Sequence, residues 1–228
     1  MKKFLSLFCM MLSIILFLTG CGKNETGQDD GELQFRAPNP GDTIAVFVTS
    51  KGTFKAVLYA DHAPLAVQNF IDLVSSGFYD GMPFHRVISD FVVQAGDPDL
   101  RDDGIGANVR PFRNEYSESL HHYPGALGMA NDRADNNTTQ FYVVKGAAVP
   151  QNLLDQLEQQ GYPDSVIEAY TTHGGLPTLD NRYTVFGQVY EGFDIITKIS
   201  NVKTDGNDCP KNSVTITSVT IEIYEAGA

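Results

Sequence analysis

The chain has 228 residues and a formal charge of −12, from 16 Lys and Arg against 28 Asp and Glu, with 42% hydrophobic and 11% aromatic residues. That apolar content fills one core, so a single domain with an appendage is expected. The acid excess carries no basic stripe, which argues against a nucleic-acid partner.

Lys2 and Lys3 precede the apolar run Phe4 to Leu18, the charged start and short hydrophobic segment of a secretory signal. The run falls short of the roughly 20 apolar residues that a spanning helix needs. Leu18-Thr19-Gly20-Cys21 follows and resembles the bacterial lipobox, in which the signal, residues 1–20, is cut before a cysteine that takes lipid. Cys21 is the expected lipidation site, and the membrane an expected partner through that anchor. The expected location is extracytoplasmic, on the cell membrane, or on its periplasmic face if the envelope has two membranes. An ordinary signal that leaves Cys21 as a free thiol is the other reading. Cys9 belongs to the leader, so Cys209 alone remains in the folded part, which then has no intrachain disulfide. Residues 21–42 are rich in Gly, Asn, Asp, Gln and Pro and read as a flexible tether, with the domain proper at 43–228.

Ile44 to Val48 and Phe54 to Tyr59 flank a turn at Ser50-Lys51-Gly52 and predict a hairpin. Pro64 opens a helical stripe of Val67, Phe70, Ile71 and Val74, with Gly77 as its stop. Further strands are predicted at Phe84–Ile88, Phe91–Gln94, Leu127–Ala130, Phe141–Lys145, Tyr183–Val189 and Val214–Tyr224. The last run shifts its apolar parity between Ile216 and Val219, which predicts a bulge. Phe193, Ile196 and Ile199 mark a second helix. Many short strands with few helices favour a closed barrel or a sandwich. Gln151 to Thr172 reads as a polar helical insertion, and Asp97 to Asn108 as a solvated turn, because it lacks the closing Glu of a calcium loop. His121-His122 is expected on a solvated loop, since two adjacent histidines do not converge on a metal.

Phe84 to Pro98, with its single arginine among apolar residues, "LGMAN" at Leu127 to Asn131, "NNTTQFYVV" at Asn136 to Val144 and "LDNRYTVFGQV" at Leu179 to Val189 together resemble the cyclophilin family of peptidyl-prolyl cis/trans isomerases. The resemblance implies a mainly β fold: a closed, eight-stranded antiparallel barrel capped by two helices, here with the helical insertion. It implies a groove for Pro-containing polypeptides, with no metal, nucleotide or other cofactor, and a monomer is expected. By motif position Arg86 matches the family's catalytic arginine, and Gln94 and Asn131 are assigned with it to catalysis. Phe91, Val92, Ala130, Gln140, Tyr142, Leu179 and Tyr183 match substrate-binding positions. Strand alternation sets Gln140 and Tyr142 on one face and leaves Phe141 for the core.

The implied chemistry explains an arginine in such company. Twisting an X-Pro amide returns the lone pair to nitrogen, so a donor placed there binds the transition state better than either ground state. His85 points to the opposite face and reads as structural. Asp61, Asp72 and Asp80 are the candidates for a purely structural partner of Arg86. The chain departs from the family pattern at Val92, where methionine is usual, at Tyr142 for phenylalanine, at Tyr183 for histidine and at Ala95 for glycine. Thr178 takes the place of a tryptophan, which implies weakened cyclosporin binding. The alternative function is a Pro-peptide-binding chaperone or docking module with little catalysis, favoured if the insertion covers the groove.

Overall fold

The computed structural model describes residues 32–100, 106, 109–132 and 135–226. The signal, Cys21 and much of the Asp97–Asn108 loop lie outside those residues.

β1 (Thr43–Thr49) and β2 (Gly52–Leu58) form the expected hairpin, with Ile44 opposite Val57 and Phe47 opposite Phe54. Gly52 makes the turn at φ 129°, a conformation that side chains disfavour. α1 (Pro64–Ser75) starts on proline and buries Ala66, Val67, Phe70 and Leu73. Its first N–H groups, which no turn within the helix can satisfy, donate from Leu65 and Ala66 to the Glu115 carboxylate at 3.1 and 2.9 Å. The chain then runs through β3 (Arg86–Val87), β4 (Val92–Ala95), β5 (Ala126–Asp132) and β6 (Asn136–Val144). α2 (Gln151–Gln159) and α3 (Asp164–His173) form the insertion, and β7 (Val185–Glu191), α4 (Phe193–Ser200) and β8 (Ile216–Ile223) follow.

All eight strands belong to one antiparallel sheet in the order β3-β4-β6-β5-β7-β2-β1-β8. The expectation of a closed barrel needs a correction: the sheet is a strongly curled half-barrel whose terminal strands β3 and β8 form no continuous ladder. β3 is too short to make one. The seam is stitched instead by its flank, where Phe84 N–H donates to Val214 O, Ile216 N–H to Met82 O, and Pro83 bridges Thr215. The bulge expected in the last strand is present, since β1 skips Thr217 between its pairings with Ser218 and Ile216.

Inside the curl, Phe47, Phe54, Phe70, Phe78, Tyr79, Phe84, Phe141 and Phe186 are fully buried and interlock with α1 and α4. A smaller cluster on the outer face joins Val92, Tyr142, Val144 and Val185, with Phe91, Ala130, Leu179 and Tyr183 packed against it. Strand alternation separates the two: Phe141 and Val143 face in, Tyr142 and Val144 face out. The insertion builds a third cluster from Leu154, Leu157, Val166 and Tyr170 around Tyr123.

The tether reading is corrected over its second half. Glu32–Phe35 forms a 3-10 turn, and Gln34 is buried between His121 and Gln188. Its side chain donates to His121 O and Gln188 Oε1, both at 2.9 Å, and accepts the His121 N–H. Phe35 stacks on His173 of α3 at 4.3 Å between ring centres. Composition suggested a free linker because polar residues dominate it, but one buried glutamine with three hydrogen bonds is enough to dock the segment. The packed body therefore begins near Leu33 rather than at Thr43.

Candidate active site

Register across the sheet assembles the site. Arg86 pairs with Gln94, Gln94 with Tyr142, and Tyr142 with Gly128, which sets the three side chains in one row on the outer face of β3, β4 and β6. A Cβ on Gly128 would lie 2.4 Å from the Tyr142 ring, so the glycine makes room for it. Between Met129 and Asn131 the pairing of β5 with β6 is interrupted, and this irregularity brings Ala130 and Asn131 to the rim. The 3-10 turn Pro177–Leu179 delivers Leu179, and Tyr183 closes the wall with its ring edge-on to Tyr142 at 6.2 Å.

The result is an open cavity of about 280 Å³ lined by Arg86, Gln94 and Asn131 on its polar side. Phe91, Val92, Ala130, Tyr142, Leu179 and Tyr183 supply the rest of the lining. Of the residues expected in the groove, Gln140 alone is absent from this lining; it stands behind Gln94 and accepts from Gln94 Nε2 at 2.8 Å. Gln94 Oε1 in turn accepts from Arg86 Nη1 at 3.2 Å. Gln140 thus holds Gln94, and Gln94 holds Arg86.

The apolar sequence around Arg86 does not bury it: its side chain is 41% exposed, because β3 is a short strand at the sheet edge. Its acidic neighbour is Asp208, with Arg86 Nε 3.9 Å from Oδ2, and not Asp61, Asp72 or Asp80. An exposed pair at that distance is weak. One guanidinium donor bonds Gln94, Nε faces Asp208, and the rest of its five-donor fork is left for a ligand.

Asn131 is fixed by a polar cluster that sequence reasoning did not identify. Its Nδ2 donates to Asn114 Oδ1 and Asn137 Oδ1, both at 3.0 Å, and Asn137 and Thr184 donate to the same Asn114 oxygen. His121 and His122 are also corrected: they are buried, not on a solvated loop. Asp180 Oδ1 accepts from His122 Nδ1 at 2.7 Å, and Oδ2 from His121 Nδ1 at 3.0 Å. Burial alone would push the Asp180 carboxyl up, but the hydrogen bonds from the two histidines outweigh it and hold the group at about 2. His122 Nε2 lies 2.8 Å from the Tyr142 hydroxyl, whose pKa burial, aided by Tyr183 and Asp180, pushes well above the ordinary tyrosine value. That hydroxyl therefore stays protonated and can donate to His122. With that hydroxyl engaged by His122, which does not line the cavity, Tyr142 offers a ligand its ring. The available signal was Asp180 itself, which directly follows Leu179 in the "LDN" motif.

His85 stands outside the cavity lining, and burial holds its pKa below the usual histidine value, against the raising effects of Asp97 and Gln140. The insertion contributes nothing to the lining. Pro98–Leu100 makes a short 3-10 turn, with the Asp97 side chain accepting the Asp99 N–H, and the described residues hold no group of three His, Cys, Asp or Glu side chains placed to hold a metal ion.

A small apolar cup beside a positioned arginine and a row of amide side chains suits a proline ring and its flanking backbone. The comparisons agree with that geometry. The profile of the family described as "Cyclophilin type peptidyl-prolyl cis-trans isomerase/CLD" matches residues 44–221. A Staphylococcus saprophyticus protein named as a peptidyl-prolyl cis-trans isomerase is 40% identical over 185 residues, covering 80% of this chain and 93% of that one. A Staphylococcus aureus protein of the same description is 39% identical over 184 residues, covering 80% of this chain and 93% of its own length. A cyclophilin-type isomerase of Cryptosporidium parvum superposes with a TM-score of 0.61 at 24% identity, over 81% of this chain and 99% of that one. With a groove built where its four motifs converge and a family match spanning almost the whole described body, the chain belongs to the cyclophilin-type peptidyl-prolyl cis-trans isomerases.

Proposed function

We propose that this isomerase turns X-Pro bonds in exported polypeptides, with Arg86 as the donor to the twisting amide nitrogen and the lipid on Cys21 keeping it at the membrane. The observation that carries the reading is Arg86 itself, held through Gln94 and Gln140 at the mouth of the apolar cup with donors to spare. In the ground state the amide nitrogen's lone pair is delocalised, which sets a barrier of roughly 18–20 kcal/mol. As the bond twists, nitrogen becomes an acceptor, and a charged donor already in place stabilises that geometry selectively. Phe91, Val92, Tyr142 and Leu179 take the proline ring. The Asn131 backbone holds the peptide chain, and Gln94 aims the guanidinium. Four or five decades of acceleration ask for roughly 5–7 kcal/mol, within reach of one charge-assisted bond plus positioning.

A second C. parvum cyclophilin structure, determined in the presence of the dipeptide Ala-Pro, superposes with a TM-score of 0.60 at 25% identity, over 79% of this chain and 99% of that one. It supports a short Pro-containing segment as the ligand. The insertion's absence from the lining favours catalysis over the docking-module alternative. The test is acceleration of cis/trans exchange in an X-Pro reporter peptide by the protein and by Arg86→Ala. The variant should lose about tenfold or more in kcat/KM while keeping its circular dichroism spectrum. A wild type that is folded yet inert would replace the isomerase reading with the peptide-binding one. The anchor is tested separately: Cys21→Ser should move the protein from the membrane to the soluble fraction and abolish incorporation of labelled fatty acid.

A further inference from the structure

The insertion leaves the cavity open, so its part in the enzyme lies in what it touches. Tyr170 on α3 is fully buried, and its hydroxyl donates to Asp180 Oδ2 at 2.7 Å. The same carboxylate accepts the His122 N–H at 2.9 Å as well as both histidine side chains. His121 Nε2 lies 3.0 Å from Glu118 O, so each of its ring nitrogens faces an acceptor. Charge-assisted bonds in a water-excluded site are stiff and strong.

Two walls of the proline cup depend on this carboxylate. Leu179 precedes Asp180 in the chain and leaves the 3-10 turn directly into it, the Asp180 N–H donating to Pro177 O. Tyr142 is tied to it through His122, whose ring lies nearly parallel to Tyr142 at 6.0 Å. Among the described residues, Tyr170 supplies the bond that reaches Asp180 from the insertion, and α2 packs α3 in place through Leu154, Leu157 and Val166.

We propose that Asp180, completed by Tyr170, is a positioning residue that fixes Leu179 and Tyr142 around the substrate proline, which makes the helical insertion an affinity element of the active site. This rests on the reading of the Arg86 cavity as the X-Pro site. Among the described residues Arg86 shares no side-chain hydrogen bond with this network, so disturbing it should act on substrate affinity and spare the chemical step.

The experiment measures kcat and KM on an X-Pro reporter, with Kd for a Pro-containing peptide by calorimetry, for the whole protein and for Tyr170→Phe, Asp180→Ala and Asp180→Asn. KM and Kd should rise about threefold in Tyr170→Phe and about tenfold in Asp180→Ala, with kcat within about twofold. Asp180→Asn, which keeps the shape and one acceptor, should recover to within about threefold of wild type. Tyr170→Phe keeps the buried ring, so it carries the test if Asp180→Ala does not fold. A lower melting temperature with unchanged KM and Kd would show a purely structural role and overturn the proposal. A wild type that binds the peptide without accelerating exchange overturns the isomerase reading alone, and Kd still decides this one. A wild type that does neither overturns both.

Discussion

Gln140 performs no chemistry, yet Arg86 depends on it. Without the 2.8 Å bond from Gln94 Nε2 to Gln140 Oε1, Gln94 is free to rotate, and its 3.2 Å bond from Arg86 loses its anchor. Gln140→Leu should therefore lower kcat/KM about threefold to tenfold, matching a loss of roughly 0.5–1.5 kcal/mol of positioning. The same substitution should leave the melting temperature near wild type, because Gln140 is only partly buried. Steady-state kinetics beside a thermal melt checks both halves, and an unchanged kcat/KM would remove Gln140 from the site. At this scale most of the lining was legible in the sequence, since the four motifs assigned Arg86, Gln94 and Tyr142 to one groove. Asp208 and Asn114 were not legible. Each meets its partner only after the sheet has curled, and nothing in local spacing encodes that approach.

Among the elements, the hairpin, α1 and α4 follow from their own patterns, because alternation and helical spacing report burial directly. Glu32–Phe35 does not, because its anchoring comes from one polar side chain that finds buried partners on the loop at His121 and on β7. A chain that begins at Thr43 would leave the His121 N–H without its acceptor and Gln188 without its donor. Unsatisfied buried groups cost about 1–3 kcal/mol each. At about 2–4 °C per kcal/mol for a domain of this size, the shortened chain should melt at least about 5 °C below one that begins at residue 31. Equal melting temperatures would mean that the 3-10 turn adds nothing to the packed body. The insertion was legible as helical, though not its division into two helices, and its target was not legible either, because Tyr123 and Asp180 come from other parts of the chain.

Across the whole molecule, Asp180 is the point where the insertion, the turn bearing Leu179 and the loop bearing the two histidines meet, so its ionisation bears on how these parts hold together. Its carboxyl lies at about 2 in the folded protein against an ordinary 3.8. Because the folded value is the lower one, the unfolded chain takes up the proton first as pH falls. Stability from this group is therefore complete above about pH 4 and disappears as pH drops through about 2, a contribution of about 2 kcal/mol. Other carboxylates also titrate there, so the difference between proteins carries the information. Urea unfolding of wild type and Asp180→Asn at a series of pH values from 7 to 2 should show a constant gap above about pH 5 that narrows toward zero at the acid end. A gap that does not change with pH would mean that the carboxylate's charge contributes nothing beyond its shape. The fall should also mark the order of events: the bonds from Tyr170 and His122 loosen before the aromatic core inside the curl, so peptide affinity should decline in acid ahead of the loss of far-UV circular dichroism.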